Sequence, residues 1–399
     1  MSPISKVELL APAGDLYRGK IAIDFGADAI YLGGQAYSLR ARASNFDLQA
    51  IKEMSEYAHS RGKKIYMVIN TLNQNTMMDG FDKYFKQILK YKPDAFIVSD
   101  PFVITQIKKL VKNPQIHIST QQSVSNSKAA MFFARNKCSR IVLSREVSFK
   151  ELKLLIHNVD KKIEIETFVH GAVCISYSGR CMLSSNFCLR DANIGGCAQS
   201  CRWEMKLFDE KNKVYSDKFT MSAKDMCLIN KIDDLIKVGV SSFKIEGRMK
   251  TEHYIATVVN AYRNVVDIHY KKSNNVKKFI TDVANAANRQ TDLAWYDGLP
   301  GIDKMLYHDV ERPVKQNFAM TIKQKINEKT YIVLTRNKIC LSDNFQVLSA
   351  IQKDIVNIKL QKIINDSEEV ETVNAPMSIV TIIFDKNIDL QENDIIRIL

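Results

Sequence analysis

The stretch VELLAPAG (7–14), followed by a helical segment and then DAIYLGG (28–34), decides the fold. Each end is a short run of apolar and β-branched residues, as expected for a strand buried on both faces. The turn after the first run, APAGD, holds a lone glycine. An open dinucleotide-binding sheet places a glycine-rich phosphate turn there. A single glycine favours a closed barrel instead.

The same unit recurs down the first two-thirds of the chain. Further strands read as KIYMVIN (64–70), DAFIVSD (94–100), IHIST (116–120), RIVLSR (140–145), IEIETFVHG (163–171) and SSFKIEG (241–247). Between them lie amphipathic helices with legible ends. Asp47 caps a helix that stops at Gly62, another stops before Pro93, and Ser148 caps a third. The last helix is expected over 251–270. Eight strand–helix units in about 270 residues predict a (β/α)8 TIM-type barrel. Residues 271–315 read as a connecting region. Residues 316–399 alternate apolar and polar in six short runs, which predicts a small all-β barrel or sandwich domain.

In a barrel of this kind the chemistry sits at the C-terminal ends of the strands. The loop after the seventh strand, residues 172–221, is far longer than the others and so a functional candidate. It carries Cys174, Cys181, Cys188, Cys197 and Cys201, with Cys227 shortly after. The opening residues lack the pattern of a signal peptide and no long apolar run occurs, so the expected location is cytoplasmic, with no membrane. Structural disulfides are rare there. An iron–sulfur cluster, a zinc site and unliganded cysteines remain open readings, although the spacing lacks the C-x-x-C pairs of a zinc ribbon. Cys138 and Cys340 read as scattered core residues.

Arg40, Arg42, Arg145 and Arg248 fall at strand ends and suit an anionic substrate; ion pairing with Glu146 or Glu246 is the competing role. His170 and Glu246 are the candidate catalytic residues. His170 stands four residues before Cys174, where it could form half of a Cys–His dyad; a partner of the cysteines or a satisfied polar residue is the competing role. No G-x-S-x-G or H-E-x-x-H motif is present. Tyr37, Phe46, Tyr177, Phe187 and Trp203 could stack on a base or fill the loop core. The net charge of +13, from 57 basic and 44 acidic residues, suits RNA. The Lys/Asn-rich tract KKSNNVKK also reads as background composition.

The segments ELLAPAG, YLGG, SLRARASNF, VSDP, FVHGAVCISYSGRC, RDAN, CAQSCRW and SFKIEGRMK resemble the collagenase-like family of U-32 peptidases, across nearly the whole barrel and more weakly in the tail. The resemblance implies membership of its tRNA hydroxylation branch, in which the wobble uridine becomes 5-hydroxyuridine with prephenate as co-substrate. It further implies a [4Fe-4S] cluster on Cys174, Cys181, Cys197 and Cys227, with Cys201 as competitor. The expected partners are tRNA and a small anionic co-substrate held by the arginines. Peptidase activity, rRNA hydroxylation and a non-catalytic RNA-binding iron–sulfur protein are the alternatives.

Overall fold

Eight apolar segments form eight parallel strands in the computed structural model, which describes residues 6–39, 45–271, 276–307, 317–350 and 356–398. The first seven are β1 (Glu8–Pro12), β2 (Ala29–Gly33), β3 (Lys64–Ile69), β4 (Ala95–Val98), β5 (Ile116–Ile118), β6 (Arg140–Val142) and β7 (Glu164–Gly171). A hairpin, β8 (Met205–Phe208) and β9 (Val214–Phe219), and a short strand, β10 (Asp225–Cys227), precede the last one, β11 (Ser242–Ile245). Strand β11 pairs in parallel with both β1 and β7, which closes the barrel. Strand β2 is buried along its whole length, as its unbroken apolar run requires.

The helices start where their caps dictate. Asp47 accepts the Ala50 N–H at 2.7 Å and opens helix Leu48–His59. Ser148 accepts the Glu151 N–H and opens Phe149–Asn158. Each cap satisfies a donor that the helix cannot, which contributes about 1 kcal/mol. The long helix Glu252–Lys271 returns along the barrel and buries eleven residues.

Inside the barrel, Leu10, Tyr31, Tyr66, Val68 and Ile97 form one apolar layer. A buried charge cluster adjoins it. Arg140 meets Glu8 at 2.5 Å and Glu166 at 3.0 Å, and Lys244 meets Glu166 at 2.8 Å. Every member has an opposite charge beside it, the condition under which buried ions are tolerated.

Two expectations need correction. Residues 271–315 hold more than a connector: Lys277–Ala286 is a helix whose buried Phe279, Val283 and Ala286 recur at helical spacing, and β12 (Thr291–Asp292) joins β10 at the edge of the barrel sheet. The tail also holds more strands than the six expected. These are β13 (Asn317–Lys325), β14 (Thr330–Thr335), β15 (Ile339–Cys340), β16 (Phe345–Leu348), β17 (Val356–Ile358), β18 (Leu360–Asn365), β19 (Glu368–Val370), β20 (Thr372–Val373), β21 (Ile379–Phe384) and β22 (Ile395–Ile398). Eight of them form one antiparallel sheet, ordered β17-β16-β22-β13-β14-β21-β18-β19. The run VNIKLQKII breaks at Lys359 into two strands that lie near opposite ends of this sheet. One linking residue spans only a few ångströms, so the sheet must curl until its ends nearly meet.

Candidate active site

The C-terminal ends of the barrel strands and the cysteine-bearing loop enclose a cavity of roughly 440 Å³. Asn70, Ser119, Thr120, Arg145, Glu246 and Arg248 come from strand ends; Cys174 to Cys201 come from the loop. The loop is tied down at Ser178. Its N–H donates to Glu146 Oε1 at 3.0 Å, and its Oγ accepts the Arg145 N–H at 3.2 Å. The next residue, Gly179, has φ +75°, and a Cβ there would stand 2.1 Å from the Gln121 carbonyl oxygen. Only glycine permits that approach. Further along, the Asn193 amide donates to the Cys181 carbonyl, and the Asn193 carbonyl accepts the Leu72 N–H.

Cys174, Cys181, Cys197 and Cys201 all line this cavity. Burial pushes the Cys201 thiol up to about 11; Arg202 opposes this, while the thiols of Cys174, Cys197 and Cys181 add to it. Cys227 stands apart. It pairs with His170 across β10 and β7, and its Sγ lies 4.0 Å from the Tyr262 hydroxyl. Strand β10 adds antiparallel to β7, which turns Cys227 toward the long helix instead of the cavity. The competitor Cys201 therefore completes the set of four thiols. Cys138 is buried, and Cys188 and Cys340 lie off the cavity wall.

His170 differs from expectation in the same way. Its ring packs between Tyr254 and Tyr262, with Nδ1 3.3 Å from the Tyr262 hydroxyl. Burial, aided by Lys250, depresses its pKa to about 3. It is a neutral core histidine behind β7, not half of a dyad with Cys174. Glu246 does face the cavity. The Tyr31 hydroxyl donates to its Oε2 at 3.3 Å, and Arg145 stands 3.8 Å away.

The arginines divide. Arg40 and Arg42 lie outside the described residues. Arg145 lies over the Phe168 ring, 3.8 Å from its centroid. Arg248 is buried and donates to Ser38 Oγ at 3.1 Å and Asn45 Oδ1 at 2.6 Å. Its side chain holds the segment after β2, a structural commitment beside any ligand contact. Sequence reasoning missed Arg202, Lys244, Lys250 and Arg289, which also line the cavity. Lys250 donates to Asn288 Oδ1 at 2.6 Å and stands 3.6 Å from Asp225, whose other oxygen faces Arg289 at 3.2 Å. The segments CRW and GRMK carried the signal for Arg202 and Lys250; nothing marked Arg289. Of the aromatics, Tyr177 lines the cavity, Tyr37 packs on Phe81 and Tyr84, Phe46 is buried, and Phe187 and Trp203 are exposed off its wall.

No helix among the described residues is long and apolar enough to cross a membrane. Residues 14–306 match Peptidase family U32, and residues 315–397 match the Peptidase family U32 C-terminal domain. The chain is 38% identical over 394 residues to tRNA hydroxylation protein P1 of Bacillus subtilis, covering 96% of this chain and 93% of that protein. It is 30% identical to tRNA hydroxylation protein P of Haemophilus influenzae, covering 93% and 91%. It is 34% identical to the 23S rRNA 5-hydroxycytidine C2501 synthase of Escherichia coli, covering 66% of this chain and 39% of that protein.

Proposed function

The chain belongs to peptidase family U32, and on that premise we propose that it hydroxylates the wobble uridine of tRNA to 5-hydroxyuridine, with prephenate as co-substrate. The observation that carries this reading is the cavity at the barrel mouth, which four thiols and several cations line together. Relatives named for tRNA hydroxylation, two of them aligned over more than nine-tenths of this chain, support tRNA as the substrate, and the rRNA synthase supports the broader class of RNA hydroxylation.

The donor set fits a [4Fe-4S] cluster, which takes four thiolates. Among the described residues, no three Cys, His, Asp or Glu side chains gather closely enough to hold one metal ion. Cys174, Cys181, Cys197 and Cys201 would hold the cluster, which supplies redox capacity when bound. Arg145, Arg202 and Arg289 bind the co-substrate carboxylates, for which a planar guanidinium offers paired donors. Lys250 adds a further positive charge. Replacing C5–H by C5–OH is a two-electron oxidation that releases a proton: prephenate would be both the oxygen donor and the two-electron oxidant, and Glu246 is the cavity carboxylate placed to accept the proton. A peptidase reading lacks support at this cavity, because His170 packs behind β7.

The test is mass spectrometry of nucleosides from tRNA prepared with and without the protein. The expected result is 5-hydroxyuridine only where the protein is present. Unmodified tRNA after incubation with reconstituted protein, prephenate and reductant would overturn the proposal.

A further inference from the structure

A second cavity, of roughly 410 Å³, shares Val173, Cys174 and Ile175 with the thiol cavity. Its other walls are Trp295, Tyr307, Met305 and Leu299, with Lys224 and Lys304 among them. The walls are braced. The Lys224 N–H donates to the Lys304 carbonyl at 3.0 Å, and the Thr220 N–H donates to the Tyr307 carbonyl at 2.9 Å. Tyr307 stacks on Phe219 with an interplanar angle of 9°. Lys304 is neutralised by Asp292 at 2.5 Å. Lys224 has no carboxylate at ion-pair distance among the described residues. Leu299 and Ile302 leave the cavity rim apolar and open, at 85% and 77% exposure.

We propose that this second cavity is a base-stacking subsite, taking the nucleobase next to the one that enters the thiol cavity. It rests on the RNA reading above and extends it. The chemistry is that of single-stranded RNA recognition: aromatic side chains under a base, and a cation for the phosphate beside it. Contiguity selects the occupant. The two cavities share one short segment of chain, so a molecule filling both must cross that segment and present a second flat group beyond it. Two adjacent nucleotides do this. Trp295 supplies the stacking face and Lys224 the charge.

The experiment measures binding of an anticodon stem-loop RNA to the full-length chain. Trp295→Leu should weaken binding about tenfold, the usual loss for one stacked base. Trp295→Phe, which keeps a ring, should restore most of it. An abasic nucleotide at one flank of the target uridine should weaken wild-type binding by the same factor and weaken Trp295→Leu no further. That shared loss is something a merely structural tryptophan would not produce, and the abasic RNA tests the wild type without any variant. Full wild-type affinity for RNA abasic at either flank, or losses that add in Trp295→Leu, would overturn the subsite alone. A wild-type protein with no affinity for the stem-loop would overturn the RNA reading and the subsite with it.

Discussion

At the scale of single residues, neighbours in sequence take different parts. Cys201 joins three thiols at the cavity, while Cys227 is packed against Tyr262. Anaerobic reconstitution should therefore give an iron-loaded, brown protein from Cys227→Ala and a largely colourless one from Cys201→Ala. The reverse pattern would restore Cys227 to the ligand set. Three buried histidines govern the acid response. His170 and His253 are held neutral by burial, with pKa values near 3, and His117 is depressed by burial together with Arg140. In the unfolded chain each protonates near pH 6.5. The folded state thus keeps its full advantage above that value and loses it as pH falls toward 3, by up to about 1.4 kcal/mol per pH unit per histidine. The urea midpoint should be flat near neutrality and drop below about pH 6.5. A midpoint unchanged at pH 5 would contradict this.

At the scale of elements, the cysteine loop is held, beside its ties at Ser178 and Asn193, by a close backbone approach that no side chain advertises. Gly179 sits at φ +75° against the Gln121 carbonyl. Gly179→Ala adds a left-handed alanine and a clash, a cost of about 1–3 kcal/mol. The barrel does not need this contact, so its melting should shift little. The loop should become sensitive to protease, and iron uptake should fall. Unchanged proteolysis and iron content would show that the loop is held elsewhere. The eight barrel strands were readable because burial on both faces leaves continuous apolar runs. The helix Lys277–Ala286 is hard to read in the sequence because it begins within the Lys/Asn-rich tract KKSNNVKK, which reads as background composition. The break at Lys359 was hidden because a strand that changes neighbours keeps its alternation of apolar and polar residues.

At the scale of the whole molecule, the C-terminal sheet is anchored to the barrel unit by a buried pair. Arg397 meets Asp282 on the helix Lys277–Ala286 and also holds Gln346 at 2.6 Å; its side chain is fully buried. Removing one partner of such a pair costs about 3–5 kcal/mol, since the other charge stays buried alone. Asp282→Ala should lower the melting temperature and split a single calorimetric transition into two, with the sheet unfolding first. A single transition at the wild-type temperature would mean that the pair contributes nothing to docking.

The sequence by itself determined the barrel, the all-β tail and the loop that carries the thiols, because strand burial, helix caps and loop length are local properties written in consecutive residues. It also pointed to the mouth of the barrel, since strand ends can be counted along the chain. Only the tertiary structure decided which side chains meet there. Cys227 and His170 sit within the right stretch of sequence, yet the pairing of β7 with β11 shifts register between Phe168 and His170, His170 packs on Tyr254 and Tyr262, and Cys227 pairs beside it on β10. Lys250 and Arg289 reach the cavity with Asp225 between them, an arrangement that depends on three segments folding together. Direction across a strand and convergence between distant segments are set by packing, and packing has no signature in one segment alone.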